Sequence, residues 1–136
     1  MPHNFKLFPE LTNRQMELYY FDSPHEQIVE NFNAKVIKVT DGDTIRVTTN
    51  FRDFDFPIRL ARIAAPELDE VGGIESQSWL EDLILNEEVN VKMTKQRVEK
   101  WGRLLAEILF LGMNVGKMSM DMGHSIKWKK EANVWS

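Results

Sequence analysis

From residue 34 onward the hydrophobic positions follow two periods in turn. The runs "AKVIKV" (34–39) and "TIRVTT" (44–49) are rich in β-branched residues and are separated by "TDGD", where an Asp-Gly pair is a strong hairpin signal. In "FDFPIRLARI" the residues Phe54, Phe56, Ile58 and Leu60 alternate with Asp55, Pro57, Arg59 and Ala61, the period of two expected of a third strand with one buried face. Pro57 points to an edge or a strand start. After Gly72 and Gly73 the period lengthens: Ile74, Trp79, Leu80, Leu83 and Ile84 share one side of a helix ending near Asn86. "VNVKM" (89–93) and "RLLAEILFLG" (103–112) read as fourth and fifth strands. Leu111, Val115, Met118 and Met122, followed by Gly123, predict a second helix. The order β-β-β-α-β-β-α predicts an α+β, mainly β fold: a five-stranded OB-type Greek-key barrel with a helix between strands 3 and 4 and another after strand 5.

The first 33 residues differ in character. They carry Pro2, Pro9 and Pro24, the aromatic run "LYYF" (18–21) and then "SPHEQIVENF". We read residues 1–33 as an extension with one short strand and one helical turn, packed on or beside the domain at 34–136 because so many aromatics are costly to leave in water. A length of 136 residues suits one core.

Composition narrows the classes. With 43% apolar and 28% charged residues the chain is globular rather than disordered. It has no cysteine, which excludes disulfides and thiolate metal sites. "MPHNFKLFPELTNRQ" contains no apolar run of signal-peptide length and no membrane-spanning stretch follows, so a cytoplasmic protein without a membrane partner is expected, and a monomer. The net charge of −4 argues against a surface that grips nucleic acid everywhere. Residues 1–33 hold two basic and five acidic side chains, leaving the rest nearly neutral. There Lys92, Lys95, Arg97, Lys100 and Arg103 face only Glu99, and "KWKK" (127–130) adds three lysines, a local cationic patch or a plainly solvated face.

The candidate chemistry is spread along the barrel. "DGDT" (41–44) is a turn by its own chemistry, and its two carboxylates are also hard-oxygen donors for Ca²⁺ or Mg²⁺. Arg59, Glu67 after Pro66, and "KWGR" (100–103) are each weak signals alone. In order, "DGDT", "IRLARIAAPE", the glycine-led helix, "KWGR" with "LAEI", and "KKEANVWS" make a chain that resembles the thermonuclease (staphylococcal nuclease-like) family over residues 34–136. That resemblance implies calcium-dependent hydrolysis of phosphodiesters in DNA or RNA, with Mg²⁺ or Mn²⁺ as substitutes. It puts Asp43 as the first metal carboxylate, Asp41 as its acidic neighbour and the Ala65 backbone carbonyl as a further ligand. Glu67 takes the place of the general base and Arg59 and Arg103 those of the arginines on the scissile phosphate. Lys100 and Trp101, with Thr44, fall on the nucleic-acid-binding side. The set is chemically coherent. Water attack on phosphorus builds negative charge on its oxygens, which guanidiniums and a divalent cation stabilise, and a carboxylate can take the water's proton.

Two departures matter. The family's second metal aspartate is Ala64 here, so cation binding should be weaker by at least the 10- to 100-fold that even outer ligand losses cost, unless Asp69, Glu70, substrate phosphate or extra water completes the shell. The C-terminal segment is also short, leaving Trp128 either a stacking platform or, with Trp135, an anchor of the tail. His3, His25 and His124 have no ligand spacing and suit surface or cap roles, and Met113, Met118, Met120 and Met122 suit the core. The rival to a nuclease is an inactive nuclease-like OB module that binds nucleic acid, or a protein partner through residues 1–33.

Overall fold

The computed structural model describes residues 3–128. The extension begins with a helix, α1 (Asn13–Tyr19), followed by one 3₁₀ turn, Tyr20–Asp22. Thr12 closes its N-terminus reciprocally: its hydroxyl accepts from the Gln15 N–H at 3.2 Å, while the Gln15 side-chain oxygen accepts from the Thr12 N–H at 3.1 Å. This cap decides the fate of "LYYF", whose residues favour strands but continue the helix from its last turn. Among the described residues the extension forms no strand of its own; its last two residues, Phe32 and Asn33, instead begin the first barrel strand.

Five long strands make the barrel: β1 (Phe32–Asp41), β2 (Thr44–Thr49), β3 (Arg52–Leu60), then β5 (Glu88–Val98) and β6 (Leu104–Phe110), with the two-residue β4 (Ile63–Ala64) between β3 and β5. β1, β2 and β3 form an antiparallel meander through the Asp41–Thr44 turn. β5 pairs with β1 on one side and β6 on the other. The sheet closes because β3 and β6 run parallel, with Ile58 beside Leu104, Arg59 beside Leu105 and Leu60 beside Ala106. This is the five-stranded OB-type barrel expected, with α2 (Gly73–Ile84) between the third and fourth long strands and α3 (Val115–Asp121) after the fifth. Val36, Val47, Phe56, Ile58, Val91, Leu104 and Ile108 fill the interior, and Leu80 and Ile84 of α2 are buried in the same cluster.

Several details depart from the sequence pattern. β7 (Met113–Asn114) and β8 (Ile126–Lys127) are two-residue pairings, β7 on β6 and β8 on β4. Leu111 lies outside α3, at φ 52° in the turn that precedes β7. α3 starts later because the Asn114 side chain caps it by accepting from the Lys117 N–H at 3.0 Å. The methionines are not uniformly core: Met118 and Met120 are partly buried, but Met113 and Met122 are exposed.

The extension is fixed to the barrel by a buried charge cluster. Glu10 is 2% exposed and is ion-paired to Arg52 of β3 and to Arg97 of β5, the latter at 3.1 Å. Arg52 also stacks over Phe54 and Phe56, and Arg97 donates to the Ile28 carbonyl at 3.0 Å. Leu11 and Ile28 are buried, and the Gln27 side chain accepts from the Leu11 N–H at 2.6 Å. Arg97 is thereby removed from the expected cationic patch, because strand alternation turns it inward onto Glu10.

Candidate active site

The Asp41–Thr44 turn sets the centre. The Asp43 carboxylate is 9% exposed and well engaged. Its Oδ2 accepts from the Ala65 N–H at 3.0 Å and lies 3.3 Å from Arg59 Nη2, and its Oδ1 accepts from the Thr44 hydroxyl at 3.2 Å. The Asp43 N–H in turn donates to Asp41 Oδ1 at 3.0 Å. Burial, and then the hydrogen-bonded Asp41 carboxyl, push the Asp43 pKa up to about 6 against the opposing pull of Arg59. Gly42 is needed here by close approach: a Cβ would sit 2.0 Å from Ser76 Oγ and 2.7 Å from Ala65 Cβ. Ser76 is itself held by donating to the His124 carbonyl at 2.9 Å. His124 stacks on Trp79 at 5.4 Å, while the His25 ring hydrogen-bonds the Pro9 carbonyl at 2.6 Å.

Arg59 is on β3 where it meets β6, and it is buried at 6% exposure, unlike the solvated position its alternation suggests. Besides Asp43 it donates through Nη1 to the Leu60 carbonyl, and its guanidinium lies 4.4 Å from the centroid of Trp128. Trp128 follows β8, and its N–H donates to the Arg62 carbonyl at 2.9 Å, so this tryptophan packs on the barrel against the arginine. Trp135 and the lysines at 129 and 130 lie outside the described residues.

Arg103 reaches the same centre from the β5–β6 turn. Its Nη1 donates to Thr44 Oγ1 at 3.2 Å, and its Nη2 pairs with Glu99 Oε2 at 3.0 Å. Glu99, 1% exposed, also accepts from the Arg103 N–H at 3.0 Å through its other oxygen. Burial opposes the Arg103 charge, but Glu99, and behind it Asp43 and Asp41, hold its pKa above the ordinary value. Glu99 is the residue sequence reasoning missed: a glutamate reads as surface, and only the tight turn through Gly102, φ 81°, brings it back onto Arg103 four positions on. Lys100 and Trp101 occupy that turn. Lys100 Nζ is 5.2 Å from the Trp101 ring centroid, and Trp101 is 58% exposed.

Glu67 lies on an exposed loop between β4 and α2. Its backbone is fixed while its side chain faces solvent: its N–H donates to Glu70 Oε1 at 2.7 Å and its carbonyl accepts from the Glu70 N–H at 2.9 Å. Glu70 is thus spent on the loop. Gly73 allows the helix start to press on this loop, since a Cβ there would be 1.9 Å from the Glu67 carbonyl oxygen.

The donors present fit a hard divalent cation in kind, because Asp41 and Asp43 set two carboxylates side by side at the turn, the Asp43 N–H donating to Asp41 Oδ1. Ala64 adds no side-chain donor, and it is paired in β4 with Ile126 of β8. Ala65 meets Asp43 through its N–H. Among the described residues no group of three acidic or imidazole side chains gathers into a ready-made metal cage. Asp41, Asp43, Thr44, Arg59 and Arg103 are brought together by contact, and Glu67, Lys100 and Trp101 stand on the flanking loops.

No family model matches the chain. An uncharacterized endonuclease of Haemophilus influenzae is 28% identical over 101 residues, covering 74% of this chain and 55% of that protein. A micrococcal nuclease of Shigella flexneri is 36% identical over 78 residues, covering 57% of this chain and 42% of that protein. The chain therefore spans about half the length of the curated relatives it matches.

Proposed function

We propose, from the thermonuclease-like domain that the barrel and these nuclease-named relatives support, that the chain is a metal-dependent nuclease hydrolysing phosphodiester bonds of DNA or RNA. One observation carries the reading: two arginines from distant strands meet on either side of Thr44 and Asp43, each held by its own buried acid. Fixed guanidiniums are what a pentacovalent phosphorane-like transition state needs, since its charge develops on oxygens the two forks can bind. Asp43 and Asp41, with the Ala65 carbonyl, would hold a divalent cation, Ca²⁺ or else Mg²⁺ or Mn²⁺, which when bound polarises the phosphoryl oxygen.

Glu67 is the general base in this reading. Its carboxylate takes a proton from the attacking water, the new P–O bond forms as the bond to the leaving oxygen breaks, and that oxygen departs with its bonding pair and takes a proton from solvent water. Arg59 and Arg103 bind the non-bridging oxygens and orient the ester, and Lys100 and Trp101 hold the adjacent phosphate and base. The absent carboxylate at Ala64 makes the cation weakly held.

A second reading, an inactive module that binds nucleic acid, is favoured by the engagement of Arg59 with Asp43 and Trp128. Cleavage of single-stranded DNA at millimolar Ca²⁺, Mg²⁺ and Mn²⁺ separates the two. Wild type should exceed Arg103→Ala by 10²-fold or more, the scale of losing one transition-state donor. Equal rates would sink the nuclease.

A further inference from the structure

The charge cluster between the extension and the barrel is unbalanced. Arg52 and Arg97 both pair with the single carboxylate of Glu10, so three buried charges leave one positive charge over. Arg52 also donates to the Glu26 carbonyl at 2.9 Å and lies over the rings of Phe54 and Phe56. Arg97 is served less well. Its Nη1 donates to Glu10 Oε2 at 3.1 Å and to the Ile28 carbonyl at 3.0 Å, whereas its Nε and Nη2 are buried and meet no acceptor among the described residues. Burial pushes the Arg97 pKa down, Glu10 pulls it back up, and the like charge of Arg52 pushes it down again.

Nε and Nη2 share one edge of the guanidinium, the edge that receives a carboxylate or phosphate through two parallel hydrogen bonds. Arg97 also lines a cavity of about 300 Å³ between α1 and β5, at the lower end of the range of ligand sites. Asn13 and Met16 form its α1 side, and Met93, Thr94 and the exposed Lys95 its β5 side. Among the described residues no acid lines it, so its charge is cationic throughout. α1 contains no buried residue, which lets Asn13 and Met16 swing off the cavity and admit a ligand to Arg97 without disturbing the core.

We propose that this cavity is a site for a small free oxyanion of the phosphate class, received through two hydrogen bonds by Nε and Nη2 of Arg97, with Lys95 as the second cation. Orthophosphate is the simplest such ligand, and its second negative charge sets it above a carboxylate at a site with two cations and no acid. It supplies the counter-charge that the Glu10 cluster lacks and satisfies two buried donors at once. Bound there, it ties α1 of the extension to β5, and the extension is held more firmly where phosphate is abundant. The site shares no lining residue with the candidate active site and does not depend on the nuclease reading.

The test is the Nε–H resonance of Arg97 in the ¹⁵N-labelled full chain, assigned through its own side-chain correlations so that no substitution at Arg97 is needed. Orthophosphate, titrated at constant ionic strength against chloride, should shift this resonance saturably, and the denaturant midpoint should rise over the same concentrations, since the ligand binds the folded chain alone. Arg103→Ala should leave the curve unchanged. Lys95→Gln, an exposed substitution that spares the Glu10 cluster, should raise the half-saturating concentration by about threefold, the scale of one exposed charge contact. Acetate should bind at least threefold more weakly than phosphate. Absence of a saturable shift at Arg97, or a response lost in Arg103→Ala because phosphate sits at the candidate active site, overturns the proposal. Acetate binding as tightly as phosphate overturns the phosphate assignment, and an unaffected Lys95→Gln curve removes Lys95 from the site and overturns it as drawn.

Discussion

Asp43 is the residue on which the site's electrostatics turn. Its raised pKa means that the fold favours the protonated form, so its contribution to stability is fully present below the ordinary value of 3.8 and is lost as pH rises through about 6. Asp43→Asn, which mimics the neutral acid, should therefore gain on the parent by up to about 3 kcal/mol between pH 3.8 and pH 8, read from denaturant midpoints at the two pH values. A constant difference would show that Asp43 ionises freely. Ala64→Asp tests the neighbouring deficit: calorimetric titration should show Ca²⁺ bound at least tenfold more tightly than by wild type. Unchanged affinity would mean that Asp41 and Asp43 do not form a cation site. The sequence revealed Asp43, Arg59 and Arg103 because short motifs fix their identity and order. It concealed that Arg59 is buried and that Glu99 holds Arg103, since both depend on how the barrel closes rather than on neighbours in the chain.

Among the elements, the α2 start is the most demanding. Gly73→Ala would place a methyl 1.9 Å from the Glu67 carbonyl oxygen, so either the loop carrying Glu67 or the helix end must shift. We expect a loss of about 1–3 kcal/mol in stability together with at least a tenfold fall in cleavage. A variant that melts earlier yet cleaves at the wild-type rate would remove Glu67 from the mechanism. The long strands were readable because their alternation runs over many residues, as at Phe54 to Leu60. β4, β7 and β8 were not, because two residues carry no period and their pairing is decided by what the barrel brings alongside. The helix in the extension did have a local sign, Thr12 with Gln15, which the strand-forming aromatics after it obscured.

At the scale of the whole molecule, the Glu10 cluster makes the extension part of the structure's electrostatic interior. Glu10→Gln leaves Arg52 and Arg97 buried without their carboxylate and should lower unfolding stability by about 3–5 kcal/mol, measured in guanidinium. Stability within about 0.5 kcal/mol of the parent would mean the cluster is not desolvated as described. The same cluster explains why charge counting misjudged both ends of the chain. One of the acidic residues of the extension and one basic residue of the expected patch cancel each other inside the protein.

The parallel seam between β3 and β6 has a consequence in time. Hairpins such as β1–β2 form between near neighbours, whereas Ile58 and Leu104 must find each other across the intervening helix and strand, so loop-closure entropy delays the seam. Arg59 lies on one lip of it and Arg103 immediately precedes the other. A nascent or partly degraded chain with its hairpins formed but its seam open holds the two guanidiniums apart. Any hydrolytic capacity that needs both guanidiniums together therefore requires this seam to be closed, and not the hairpins alone.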